Sequence, residues 1–232
     1  MQVEIWSDVV CPWCYIGKRR FETALAGFAH GDQIEVLWRS YELDPNAPAQ
    51  RQGDPAQHLA RKYGMSIEQA RAAQARLTDL AATEGLEYHL DRAPGGRTFD
   101  AHRLIHLAAD AGLGGAMKER LLRLHLVEAQ PIGDHDTLVA AAVEVGLEAD
   151  QVRSMLAGDD YADAVRADEI LASEIDVTGV PFFLFDGRLG LSGAQSPEVL
   201  TQVLERAWSD THPVIEVVAP DADACADDQC AI

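Results

Sequence analysis

With 232 residues and 47% hydrophobic content, the chain can bury a sizeable core, enough for one domain of ordinary size plus an inserted subdomain, and general disorder is excluded. Nineteen basic against 38 acidic side chains give a formal charge of -19, a balance that repels phosphate backbones and anionic headgroups and sets aside nucleic acid and membrane surfaces as partners. Residues Met1 to Asp8 lack the basic start and apolar run of a secretory signal, and no window reaches the length of a membrane span, so the expected location is cytoplasmic.

Residues 2–10 alternate and then turn apolar, with Val3, Ile5, Val9 and Val10 among β-formers, which predicts a strand running directly into Cys11. Tyr15, Ile16, Phe21, Ala24, Leu25 and Phe28 then recur at helical spacing. A second strand is predicted at Ile34–Tyr41, broken by Asp44 and Pro45. From about Pro55 to about Ile175 nearly every segment is helical in period. Ser66 to Gln69 forms a capping-box start, Gly85, Gly112 and Gly146 close successive helices, and a last stripe runs from Tyr161 to Ile175. Strand character returns at Pro181–Phe185, Asp186-Gly187 marks a tight turn into a second short strand, and Ser196-Pro197 starts a helix reaching about Trp208.

The order predicts an α/β fold: one small mixed sheet with a large all-helical insertion. Residues 1–50 and 176–212 are expected to build the sheet domain, 51–175 the insertion, and 213–232 an acidic tail.

The four cysteines fall into two close pairs, Cys11 with Cys14 and Cys225 with Cys230. A disulfide-stapled secreted scaffold would spread more of them along the chain, so redox chemistry or metal binding is the expected use. Two cysteines two residues apart at the first turn of a helix can close a small disulfide, and the dipole and free backbone N–H groups there favour a thiolate on the first. Cys11 is therefore the expected attacking sulfur and Cys14, one turn in, the less exposed resolving thiol. Pro12 costs no hydrogen bond at a helix start, and Trp13 offers an apolar surface beside the sulfur. The competing reading is a zinc half-site completed by Cys225 and Cys230, disfavoured by the wider spacing of the second pair; no resident metal is expected. Far away in sequence, Val180-Pro181 opens a strand. A cis peptide there would leave the Val180 backbone free to pair with an extended substrate, whereas a trans proline would simply begin the strand.

Cys11-Pro12-Trp13-Cys14 after the first strand, the helical insertion and Gly179-Val180-Pro181 before the hairpin together resemble the DsbA-like branch of the thioredoxin superfamily. The stretches Trp6 to Lys18, Thr98 to Leu104 and Ser192 to Gln195 are similar to its FrnE subfamily, and the resemblance spans residues 2 to about 208. It implies a thioredoxin fold, a cis peptide before Pro181, Cys11 as nucleophile and dithiol–disulfide exchange on protein or peptide substrates, with no cofactor beyond the redox-active disulfide and glutathione as a candidate co-substrate. Pro12, Trp13, Val180 and Pro181 are the expected substrate-binding residues. Cys225 and Cys230 resemble the extra cysteine pair of some FrnE-type members, which implies a redox relay; a local disulfide in the tail is the alternative. The expected assembly is a monomer or homodimer.

Two departures stand out. Thioredoxin-like members often carry a buried acid six residues before the first cysteine, where this chain has Ile5, so the proton acceptor falls to Asp8 or Glu4. Glutathione-using relatives, the kappa-class transferases and 2-hydroxychromene-2-carboxylate isomerases, usually have serine in place of Cys11, which favours dithiol exchange here over glutathione-dependent isomerisation. A thiol-independent holdase chaperone is the third reading. His102 and Arg103 either line the cleft or form a polar helix face, and Asp134 is expected to cap the helix that contains Leu138.

Overall fold

The computed structural model describes residues 1–212. Its first strand, β1 (Gln2–Ser7), stops three residues earlier than the apolar run predicts, because Asp8 to Val10 turn the chain and the Cys11 N–H donates back to the Asp8 carbonyl at 3.2 Å. Val9 leaves the sheet altogether and packs among the helices. Helix α1 (Pro12–Gly27) then crosses over the sheet, and after a single 3-10 turn β2 (Glu35–Ser40) returns parallel to β1.

Seven helices follow before the next strand: α2 (Pro55–Tyr63), α3 (Ile67–Thr83), α4 (Phe99–Asp110), α5 (Gly114–Leu126), α6 (His135–Val145), α7 (Ala149–Ala157) and α8 (Ala162–Glu174). The capping box of α3 forms as expected, Ser66 Oγ accepting from Gln69 N and Gln69 Oε1 from Ser66 N, and Asp134 caps α6 by accepting from Thr137 N at 2.8 Å. Strands β3 (Phe182–Phe185) and β4 (Leu189–Ser192) form the hairpin, with Asp186 and Gly187 both at positive φ, and α9 (Pro197–Thr211) closes the described chain.

The sheet order is β2-β1-β3-β4, with β3 antiparallel to its neighbours. The chain thus has a mixed sheet with helices on both faces, the thioredoxin-type α/β architecture with a helical insertion. Val3 and Ile5 of the central strand pack with Phe21, Phe183, Phe185, Leu200 and Leu204 beneath α1 and α9. Trp6 points the other way, against Ala172, Val177 and Phe182, and its indole N–H reaches the Asp168 carbonyl at 2.9 Å. Asp168 also accepts from the Ser40 N–H, so α8 covers the free edge of β2. The insertion has its own core, built around Leu104, Met117, Leu121, Leu138 and Val152. No helix among the described residues is long and apolar enough to cross a membrane.

Candidate active site

Cys11 is the N-cap of α1, in extended conformation, and Pro12 occupies the first helical position. No side chain caps this end, so the positive end of the helix lies at the residue that carries the attacking sulfur. Cys11 and Cys14 are both unbonded thiols; Cys11 retains 5% of its surface and Cys14 only 1%. The Cys11 thiol lies 3.7 Å from the Val180 carbonyl, and the Val180–Pro181 peptide is cis. Residues about 170 positions apart in sequence therefore meet at one sulfur.

Two features make that meeting possible. Gly17, on the second turn of α1, has no side chain to collide with the proline: a Cβ there would sit 2.8 Å from Pro181 Cγ and 3.5 Å from Ala194 Cβ. Gly193 N then donates to the Pro181 carbonyl at 2.8 Å, and Arg20 donates to the Ala194 carbonyl while pairing with Glu84 of the insertion. The insertion also grips the motif itself, since the Tyr88 hydroxyl donates to the Pro12 carbonyl at 2.7 Å. Trp13 keeps 44% of its surface and is the exposed aromatic beside the dithiol.

Beneath the motif lies a buried polar group. Asp8 Oδ1 is 3.2 Å from His102 Nε2, and Asp8 Oδ2 accepts from the Leu43 N–H at 2.8 Å. Burial pushes the Asp8 carboxyl up, but the bond from His102, the Leu43 N–H and the positive charge of Lys118 together hold it below its ordinary value. Burial pushes His102 down. The pair is thus best read as carboxylate and neutral imidazole, with Nε2–H donating. Lys118 of α5 is fully buried and donates to the Ser7 carbonyl at 2.9 Å. Desolvation lowers its ammonium to about 8, against the charges of Cys14, Asp8, Cys11 and Asp168, which raise it. Cys14 is pushed well above the ordinary thiol value by burial and by its hydrogen bond with the Cys11 sulfur. One thiol of the pair is therefore held protonated, the arrangement an attacking and a resolving sulfur require.

Cys11, Cys14, Pro12, Trp13, Val180 and Pro181 lie in one place; Cys225 and Cys230 lie outside the described residues. Glu4 pairs with Arg39 on the α8 side of the sheet, which leaves Asp8 as the carboxylate under the motif. His102 and Arg103 do not form a polar surface: both are buried, Arg103 because its guanidinium takes the carbonyls of Met155, Gly158 and Asp160. Tyr88 and Lys118 were not anticipated. Lys118 did carry a signal, because a cation sits on the apolar stripe formed with Met117, Leu121 and Leu122. No group of metal-ligating side chains occurs among the described residues.

The model of the DSBA-like thioredoxin domain family matches residues 2–205. The uncharacterized protein YwbO of Bacillus subtilis is 31% identical over 212 residues, covering 90% of this chain and 96% of YwbO. Among solved structures, a probable DsbA oxidoreductase, SCO1869 from Streptomyces coelicolor, is 47% identical with a TM-score of 0.87, covering 100% of this chain and 99% of that one. The cytosolic disulfide reductase DsbM of Pseudomonas aeruginosa, solved with GSH, shares the fold at 21% identity and a TM-score of 0.61, covering 89% of this chain and 98% of DsbM.

Proposed function

The chain belongs to the DsbA-like thioredoxin domain family, and from that premise we propose that it exchanges thiols and disulfides on protein or peptide substrates through Cys11 and Cys14, as a reductase or isomerase of the FrnE type. The observation that carries this reading is the Cys11 sulfur at an uncapped helix N-terminus, 3.7 Å from the Val180 carbonyl before cis-Pro181.

The steps follow from the two sulfurs. The Cys11 thiolate attacks one sulfur of a substrate disulfide; the substrate S–S bond breaks, and its other sulfur leaves with the electron pair and takes up the proton Cys11 released. Cys14 then attacks the Cys11 sulfur of the mixed disulfide. Its proton leaves, the Cys11–Cys14 bond forms, and the second substrate sulfur departs and is protonated. The substrate gains two electrons and two protons, and the protein ends as the disulfide. The Val180 backbone lies beside the reacting sulfur, where an extended peptide can pair with it, and Trp13 supplies an apolar contact.

DsbM, solved with GSH and described as cytosolic, supports glutathione as the reductant that resets the disulfide and a cytoplasmic setting for this chain. The relay role of the Cys225/Cys230 pair follows from its resemblance to the extra cysteine pair of some FrnE-type members, with a local disulfide as the alternative. The test is insulin reduction with glutathione as donor. Cys11→Ser is expected to abolish it; unchanged turnover in that variant overturns the proposal.

A further inference from the structure

Lys118 lies beneath the motif, and the exchange chemistry above leaves it unused. It is fully buried, its Nζ bonds the Ser7 carbonyl at 2.9 Å and lies 5.7 Å from the Trp38 ring centroid, and it forms no ion pair among the described residues. Both oxygens of the nearby Asp8 carboxylate are taken, by His102 and by the Leu43 N–H. A buried ammonium in a hydrocarbon setting needs a counter-charge. The anions within its field are Asp8, Asp168 and those that the dithiol generates.

The route between them is one peptide group. The carbonyl of Ser7 and the N–H of Asp8 are its two ends: Lys118 donates to the first, the second lowers the Cys14 thiol's proton affinity, and the Asp8 carbonyl just beyond accepts from the Cys11 N–H at 3.2 Å. An ammonium on the carbonyl end polarises the amide and strengthens the donor directed at the sulfur. The strand positions below supply no charge of their own, since Ile5 and Trp38 face each other in register across β1 and β2. The cation reaches the site from α5 instead.

We propose that Lys118 is a positioning residue for the exchange reaction, a buried counter-charge that stabilises the thiolate form of the Cys11/Cys14 pair through the Ser7–Asp8 peptide and so sets the redox poise of the centre. This rests on the dithiol reading above. The groups facing Lys118 are Cys11 and Cys14 at α1, Asp8 just after β1, His102 on α4 and Asp168 on α8. Asp8 and Asp168 lie in its field in both redox states, and reduced protein adds a thiolate that oxidised protein lacks, so its proton affinity follows the redox state. Losing Lys118 removes stabilisation of the thiolates, which shifts the equilibrium with glutathione toward the disulfide and makes the protein the stronger reductant.

The chain contains three lysines, Lys18, Lys62 and Lys118, so carbon-13 lysine labelling yields three resolvable side-chain signals. In the wild-type protein, the Lys118 titration midpoint is expected to lie about one pH unit higher in the dithiol than in the disulfide form. Equal midpoints overturn the proposal, and this arm needs no variant to fold. In parallel, Lys118→Met is expected to shift the equilibrium constant with glutathione about tenfold toward the disulfide, one unit of proton affinity being a factor of ten, with Lys118→Arg restoring most of it. An unchanged constant in a Lys118→Met protein that melts cooperatively also overturns it. A wild-type protein that forms no Cys11–Cys14 disulfide with glutathione removes the dithiol reading itself, a result distinct from either failure of Lys118.

Discussion

Gly17 and Pro181 touch so closely that α1 has room for hydrogen alone at this position, a Cβ lying 2.8 Å from the proline ring. The contact seats the Val180 carbonyl beside the Cys11 sulfur. Helix propensity argues the opposite way, since alanine in a helix interior is favoured over glycine by about 1 kcal/mol. Overpacking against a rigid ring costs about 1–3 kcal/mol, so the clash wins. Gly17→Ala is expected to lower stability by about 1 kcal/mol and to reduce kcat/KM for insulin at least tenfold, measured alongside a urea melt.

The Tyr88 hydroxyl ties the insertion to the Pro12 carbonyl. Tyr88→Phe leaves that carbonyl without its donor, so a loss of about 0.5–1.5 kcal/mol is expected. The Cys11 thiol is also expected to react faster with a maleimide as the motif loosens. Urea unfolding and a stopped-flow alkylation check the two halves separately.

Acid sensitivity has a definite sign. His125 is buried on α5, and burial pushes its imidazole down to about 4, while the unfolded chain binds that proton near the ordinary histidine value of about 6.5. Between those two values the unfolded state binds more protons than the folded one, so stability is fully present above about pH 6.5 and is lost as pH falls toward 4. His102, also pushed down by burial, adds in the same direction. A loss of about 3 kcal/mol is expected from His125 across the window, at about 1.4 kcal/mol per unit. Urea midpoints at pH 7 and pH 4.5 measure it, and His125→Phe should shrink the difference; an equal difference in that variant contradicts the assignment.

The sequence made the dithiol legible because its chemistry is local: two cysteines, a proline and a helix start within four residues. The hairpin was legible for the same reason, since Asp186 and Gly187 have few other conformations to serve. Val9 and Val10 misled, because an apolar pair reads as strand whether it lies in a sheet or among helices. His102 and Arg103 looked solvated by residue type, yet their partners stand 94 and 52 to 57 residues away, and no local pattern reveals such a contact. Lys118 was hidden similarly. A charge on an apolar stripe marks something unusual, but only the fold shows that it lies under the motif.

The most direct test of the account is to stop the exchange halfway. Cys14→Ser removes the resolving sulfur and leaves the attacking one, so incubation with a disulfide-bearing peptide should accumulate a mixed disulfide on Cys11, released by dithiothreitol and located by peptide mass spectrometry. Stoichiometric adduct at Cys11 is the predicted result. No adduct there, with substrate still reduced by this variant at the wild-type rate, would contradict the assignment of Cys11 and Cys14 as attacking and resolving thiols.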